Sequence, residues 1–262
     1  VFTFPMSTPL ISYRLALLLV CSALPISRGI AMPSTAPSGD GRKASATPDS
    51  VALIVTRLTG QAGEALVSSA IPLRRGAIRP DAVSGARLVV DGAPVDAAIE
   101  GTTGLHADGS LRSVVVQFRT VLRPGDRVTA WLTWGGSPTG PRRAQLLDIP
   151  PYPEAVALPT SADYLISTDL VGETVSVAES RRAGAVWSKY ERDFDQWANK
   201  HWLGNGADWA AGNYYDRVQI YYAWWVRTGN IEYWKRATLM ALDYRTKYLE
   251  KNNYTSSHHW AP

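Results

Sequence analysis

Tryptophan and tyrosine are concentrated in the carboxy-terminal part of this 262-residue chain. Eight of the ten tryptophans lie between Trp187 and Trp260, and nine of the twelve tyrosines lie between Tyr190 and Tyr254. Apolar residues in this stretch recur at spacings of three and four, the period of a helix with one buried face. The pattern predicts packed helices, and the abundance of aromatic residues excludes a disordered or collagen-like chain.

Three helices are predicted in this stretch, over residues of about 186–201, 212–228 and 231–250. Gly229 supplies a left-handed stop and Asn230 a cap, so the last two helices form a tight antiparallel hairpin. The middle helix is apolar nearly all round, which indicates burial on several sides. Because three helices offer few partners, we expect the sequence to be the front portion of a longer protein, inactive on its own.

Residues 51–150 have the pattern of a β domain. Strands are predicted at residues 51–55, 86–90, 95–99, 111–118 and 127–134. Turn sequences separate them, including Asp91-Gly92 and Asp108-Gly109-Ser110, which we interpret as hairpin corners. His106 stands alone beside the second corner and is expected at the surface. The spacing of about ten residues between strands predicts a compact antiparallel barrel or sandwich.

The amino-terminal residues have the features of an export signal. Arg14 precedes a ten-residue apolar run from Leu15 to Leu24, which is too short to span a bilayer, and small residues follow near Ala31. We therefore predict a cleaved signal peptide over residues 1–31, a flexible linker over 32–50 and a secreted or periplasmic protein without stable membrane insertion. Residues 151–185 are interpreted as a connector between the β domain and the helices, which occupy 186–262.

Charge and cysteine content restrict the partners. The formal charge is +4 and no dense basic run is present, so nucleic acid is not expected as a partner. A single cysteine excludes a disulfide scaffold and a cysteine-based zinc cluster. Adjacent side chains on a helix or strand usually point in different directions. We therefore expect no metal site at His258 and His259.

Two parts of the sequence resemble the exo-type rhamnogalacturonan lyase family. The first consists of Ile71–Ile78 (IPLRRGAI), followed by His106–Arg112 (HADGSLR) and the apolar run Val114–Phe118, and it is similar to the amino-terminal β barrel of that family. A tryptophan that the family carries before its Asp-Gly-Ser segment is replaced here by Leu105 or His106. The second comprises Asn213–Arg217 (NYYDR), Trp225–Asn230 (WVRTGN), Tyr233 and Arg236-Ala237, and it is similar to the first hairpins of the (α/α) toroid that follows the barrel.

The resemblance implies a mixed, two-domain fold: an antiparallel β barrel or sandwich followed by an incomplete (α/α) toroid of helical hairpins. It also implies a carbohydrate-active enzyme, a polysaccharide lyase that cleaves uronate-containing glycans by β-elimination. That reaction requires a base, a group that neutralises the uronate carboxylate and a proton carrier. Our candidates are Tyr215 as base, Arg217 as neutraliser and His201 as proton carrier.

The candidates for substrate binding are polar and aromatic residues around the same helix, since flat apolar rings with polar edges suit sugars. They are Asn213, Tyr214, Asp216, Trp209 and Trp260. Packing in the helical core is the alternative role for the tyrosines, and ion pairing with neighbouring helices is the alternative for Asp216 and Arg217. No residue pattern indicates a cofactor. A requirement for calcium is left to be tested by experiment.

Two other functions fit the same sequence. Asp208 and Asp216 could form the acid and base pair of a glycoside hydrolase, which requires carboxyl groups about 5–9.5 Å apart. A non-catalytic carbohydrate-binding or surface protein is the second alternative, because one fold hosts many functions.

Overall fold

Eight strands between residues 50 and 158 form one sheet. The structure is a computed structural model that describes residues 50–135, 145–150, 152–208 and 216–254. The strands are Ser50–Arg57 (β1), Gly63–Pro72 (β2), Arg87–Val90 (β3), Ala93–Pro94 (β4), Ala97–Gly101 (β5), Ser113–Leu122 (β6), Arg127–Thr133 (β7) and Ala155–Leu158 (β8). Their order is β4-β3-β7-β1-β8-β2-β6-β5. Within the described sheet the end strands β4 and β5 do not pair with each other, so the predicted barrel is a curled half-barrel.

The sheet is antiparallel except where β2 pairs with β8. The predicted antiparallel pairing of the strands is therefore confirmed in outline. The ladder between β2 and β6 is ten residues long on each strand, from Gly63 opposite Leu122 to Pro72 opposite Ser113. β8 lies between β1, to which it is antiparallel, and β2, to which it is parallel. The predicted hairpin corner at Asp91-Gly92 joins β3 to β4, with φ angles of 47° and 79° that suit a tight turn.

Alternating apolar residues give the sheet one buried face. Val51, Leu53 and Val55 of β1 point into the sheet core, as the two-residue period of a strand requires. Ile54 points the other way and packs against a second apolar core formed by the helices. The sheet therefore has apolar contacts on both faces along β1.

Among the described residues, five helices follow the sheet, and one 3-10 turn at Pro80–Gly85 lies between β2 and β3. They are Ala162–Ser167 (α1), Val177–Arg182 (α2), Ala185–Asn205 (α3), Arg217–Thr228 (α4) and Ile231–Tyr244 (α5), which continues into a π-helical turn at Arg245–Glu250. The three long helices confirm the predicted ones in kind and position. Helix α4 begins at Arg217, and residues 212–215 of the predicted helix lie outside the described residues.

The hairpin between α4 and α5 forms as predicted. Gly229 has a φ of 69° in the left-handed region and its N–H donates to the Trp225 carbonyl. The Asn230 side chain accepts a hydrogen bond of 3.0 Å from the Glu232 N–H, which caps α5. Helix α4 packs against α1, α2 and α5, and side chains of α3 contact it, so this cover comes from within the described chain.

Strand β8 belongs to both apolar cores, and all four of its residues are buried. Ala155 and Ala157 pack into the sheet core, whereas Val156 and Leu158 pack into the helical core. A strand covered on both faces is expected to be apolar throughout rather than alternating. The sheet and the helices lie in one compact unit, and residues 151–185, predicted as a connector, contain β8, α1 and α2.

The Asp-Gly-Ser corner is a turn as predicted, but His106 is buried at 5% exposure, and the expectation of a surface histidine is wrong. Its Nε2 lies 3.0 Å from the Leu73 carbonyl oxygen. Ser110 donates to Asp108 Oδ1 at 2.6 Å and accepts from the Gly76 N–H at 2.8 Å. The Ser110 hydrogen bonds lower the pKa of Asp108. These hydrogen bonds tie the corner to the loop after β2.

Candidate active site

Helices α3, α4 and α5 bring basic and aromatic side chains together around one point, which we call the arginine–aromatic cluster. Helices α4 and α5 pack against each other, and side chains of α3 contact both of them. The cluster consists of Asp195, His201 and Trp202 from α3, Arg217 and Tyr221 from α4, and Tyr233 and Arg236 from α5.

Arg236 lies at the centre of the cluster. Its guanidinium carbon is 5.3 Å from the Trp202 ring centroid, 5.4 Å from that of Tyr233 and 5.9 Å from that of Tyr221. A cation over aromatic faces is stabilised by the ring quadrupoles. Its Nη1 is buried and has no hydrogen-bond partner in the described part of the chain. An unsatisfied buried donor is costly, and a carboxylate would relieve that cost once the surrounding side chains moved to admit it.

Tyr221 and Tyr233 form the walls around Arg236. The Tyr221 hydroxyl donates to the Ala198 carbonyl at 3.0 Å, and the Tyr233 hydroxyl donates to Asp195. Burial raises the pKa of both phenols; the charges of Arg217 and Arg236 oppose that rise at Tyr221, and Asp195 adds to it at Tyr233. Both hydroxyls therefore stay protonated at neutral pH and act as structural donors, not as bases.

Arg217 occupies the first position of α4 and is 4% exposed. Its Nη1 donates to the Asp208 carbonyl at 2.9 Å and its Nη2 lies 3.3 Å from the Gly206 carbonyl. These contacts hold the chain that leaves α3 against the start of α4. Arg217, the predicted neutraliser, therefore fixes the end of α3 and adds a positive charge to the cluster.

His201 lies near Arg217, so the structure brings together two of the predicted catalytic residues. Burial, and secondarily the Arg217 charge, lower the pKa of His201 below the ordinary 6.5. The imidazole lies 5.1 Å from the Trp197 ring, and the Asn205 amide nitrogen is 3.3 Å from its Nδ1. A neutral imidazole at neutral pH can accept or relay a proton.

The remaining predicted residues divide into two groups. Asp208 and Asp216 are exposed, and Asp216 has a left-handed φ of 45° immediately before α4. The Asp208 backbone is fixed by Arg217, whereas Asp216 contacts α4 through its carbonyl, which accepts from the Ile220 N–H at 2.7 Å. Five predicted residues lie outside the described residues: Tyr215, Asn213, Tyr214, Trp209 and Trp260.

Arg236 is a site residue that the sequence reasoning missed. The buried stripe of α5 contains Tyr233, Ala237 and Met240, and Arg236 lies on the same stripe at the i+3 position from Tyr233. A basic residue in an apolar stripe is the signal that could have identified it. Only the tertiary packing shows that three rings from three helices surround it.

Helix α3 also carries a row of exposed aromatic rings. Trp187 and Tyr190 are 55% and 56% exposed with their ring centroids 6.5 Å apart, and Trp197 is 40% exposed. Trp197 contacts the His201 ring, so the row leads along α3 to the cluster. Exposed flat rings of this kind are apolar surfaces on which a sugar face can pack.

The part of the chain that the structure describes contains neither a cluster of metal ligands nor a membrane-spanning helix. No set of three or more His, Cys, Asp or Glu side chains in these residues is grouped as a metal site would require. No helix among them is long and apolar enough to cross a membrane.

No protein family model and no curated protein matches the chain. The function is therefore inferred from the arginine–aromatic cluster and its surroundings.

Proposed function

We propose that this protein is a secreted carbohydrate-active enzyme, a polysaccharide lyase that cleaves uronate-containing glycans by β-elimination. The observation that carries the proposal is the Arg236 guanidinium, held between three aromatic rings with a buried, unpartnered Nη1 among the described residues. In this proposal the β domain precedes an (α/α) toroid that begins with α3, α4 and α5.

The chemistry of the cluster suits the first step of β-elimination. A base removes the proton next to the uronate carboxylate, the electron pair forms a double bond, and the neighbouring glycosidic oxygen leaves and takes up a proton. Negative charge grows on the carboxylate during proton removal, so a fixed cation there lowers the barrier. Arg236 supplies that cation, and Arg217 adds positive charge while holding the end of α3 in place.

His201 supplies the proton transfer in this proposal. Because its pKa is lowered, the imidazole is neutral at neutral pH and able to take a proton. Tyr215 remains the predicted base, two residues before Arg217 in the sequence. The exposed rings of Trp187, Tyr190 and Trp197 would support further sugar units along α3.

Replacement of Arg236 by glutamine tests the proposal. With the full-length protein, with and without calcium, we expect unsaturated uronate to form from one acidic polysaccharide, measured by its ultraviolet absorbance. The Arg236→Gln variant should reduce kcat/KM roughly tenfold to a hundredfold, the cost of losing one charge-assisted contact. Lys235→Gln, which removes a neighbouring cation paired with Glu232, is the matched control and should keep the rate.

Other outcomes would assign a different function. New reducing ends without unsaturated product would indicate a hydrolase and direct attention to Asp208 and Asp216. Polysaccharide binding without any product would indicate the non-catalytic alternative. Equal rates for the wild type and Arg236→Gln would contradict the proposed role of the cluster.

The pKa of His201 gives a second test, in the pH dependence of activity and, without turnover, in an NMR titration. As pH falls through the lowered pKa, the imidazole gains a proton, so activity that needs the neutral ring is lost only below the ordinary histidine range of about 6.5. Replacing Arg217 with glutamine removes a positive charge and should move the His201 titration midpoint, measured by NMR, to higher pH. Lys200→Gln, which alters an exposed cation next to His201 in the chain, should move it less; equal midpoints in wild type and Arg217→Gln would disprove the coupling.

A further inference from the structure

A surface depression that shares no lining residue with the arginine–aromatic cluster lies between the starts of α1 and α2 and the end of α4. It is a shallow depression, open to solvent, with a volume of about 350 Å³. Its polar wall is formed by Arg181, Arg227, Asp163, Ser161, Ser176 and Thr228. We call this site the α1–α2 cleft.

Arg227 is held rigidly at the cleft. Its Nε donates to the Val175 carbonyl at 2.9 Å, its Nη2 pairs with the buried Glu191, and its guanidinium carbon is 5.0 Å from the Trp224 ring centroid. These contacts do not use Nη1, which is therefore available to a ligand. A guanidinium already fixed by the protein loses little conformational entropy on binding.

Arg181 supplies a second guanidinium to the same wall, from the last turn of α2. It is exposed at the rim of the cleft. Glu191 compensates the charge of Arg227, so Arg181 supplies the positive charge of the cleft and Arg227 adds an N–H donor through Nη1. The planar fork of an arginine matches a carboxylate.

Ser161 and Ser176 add hydroxyl donors. Ser161 Oγ accepts from the Tyr164 N–H at 3.2 Å, and Ser176 Oγ accepts from the Glu179 N–H at 3.1 Å. Each bond uses the oxygen and leaves the hydroxyl proton for another acceptor. The two serines can thus donate to ligand oxygens while they continue to cap their helices.

The lining also combines one carboxylate with small apolar groups. Asp163 can accept hydrogen bonds from ligand hydroxyls, and Ala162, Val177 and Ala178 offer an apolar surface. A carboxylate in the wall disfavours a dianion such as phosphate, because the like charges repel. It favours a monoanion that carries several hydroxyl groups.

We propose that the α1–α2 cleft binds a sugar acid of the uronate type. The carboxylate lies against Arg181 and Arg227, the ring hydroxyls bond to Asp163 and the serines, and one face of the ring packs on the alanine and valine side chains. This site is separate from the cluster, and its occupation does not depend on lyase activity because binding is measured without turnover.

Calorimetric titration with D-galacturonate, galactose and inorganic phosphate tests the assignment. We expect galacturonate to bind, galactose to bind much more weakly because it lacks the carboxylate, and phosphate not to compete. The Arg181→Gln variant should weaken galacturonate binding roughly tenfold, the effect of one charge-assisted hydrogen bond. Arg182→Gln, which changes the next residue of α2 outside the cleft lining, should bind like wild type.

The same titration in the Arg236→Gln background separates the two sites. Binding that persists there and is lost in Arg181→Gln supports the cleft, whatever the outcome of the lyase assay. Binding that is lost with Arg236 and kept without Arg181 would place the sugar acid at the cluster and overturn the inference. Equal weakening by Arg181→Gln and Arg182→Gln, tight phosphate binding, or no galacturonate binding by wild type would also overturn it.

Discussion

Replacing Gly229 with alanine is expected to destabilise the protein by about 3 kcal/mol, because two costs add at this position. The residue has a φ of 69°, which is unfavourable for any residue with a Cβ atom. A Cβ atom would also stand 1.9 Å from the Thr160 carbonyl oxygen, so backbone must move. Urea unfolding followed by tryptophan fluorescence measures the change in the free energy of unfolding.

Gly172→Ala is the matched control for this substitution. Gly172 has a φ of 80°, but nothing lies within 4 Å of the position that a Cβ atom would occupy there. It should therefore lose only the conformational cost of about 1 kcal/mol. If both variants lost the same free energy, the close approach of Thr160 to the α4–α5 turn would make no contribution.

Replacing Arg227 with methionine should cost about 3–5 kcal/mol, because it leaves the carboxylate of Glu191 buried without its partner. The Glu191 side chain is only 1% exposed and that of Arg227 is 16% exposed. Glu191 Oε2 has no hydrogen-bond partner among the described residues, so Arg227 is the group that compensates the charge. We expect a lower urea midpoint and a lower Tm.

The double variant Glu191→Leu with Arg227→Met distinguishes charge from packing. Replacing a buried ion pair with apolar residues of similar volume is often neutral, so the double variant should recover most of the stability. Lys189→Met breaks the exposed pair with Asp193 on the same helix and should change stability by less than about 1 kcal/mol. A double variant as unstable as Arg227→Met alone would show that the arginine stem, and not the unpaired carboxylate, accounts for the loss.

Local signals in the sequence were sufficient where a run of apolar residues ends in a turn. The strands β1, β3, β5, β6 and β7 and the hairpin at Gly229 were predicted for this reason. β2 was not predicted, because Ser68 and Ser69 interrupt its apolar pattern. Ser69 Oγ accepts from the Ala157 N–H at 2.8 Å, a contact between distant segments that no local pattern reveals.

The two short helices were missed although one carries a recognisable start. Ser176 and Glu179 have the spacing of a capping box, and the Ser176 side chain does cap α2. Six residues are too few for helical periodicity to show. Their place in the fold depends on packing against α3 and α4.

The candidate site was predicted in part. Aromatic density indicated the helices that form it, and His201 and Arg217 were singled out individually. Their proximity, and the three rings around Arg236, depend on how α3, α4 and α5 pack. From sequence alone, a charged side chain on a buried helix face is expected to form an ion pair or to extend its charged end to solvent. Its role depends on the neighbours that the tertiary structure places around it.

The position of β8 in both apolar cores restricts how this protein can evolve by recombination. Its alternate residues belong to different cores, Ala155 and Ala157 to one and Val156 and Leu158 to the other. The helical part therefore cannot be inherited, exchanged or grafted as a self-contained module, because the strand that completes its core also completes the sheet. Recombination that keeps both cores intact must carry the sheet and the helices together.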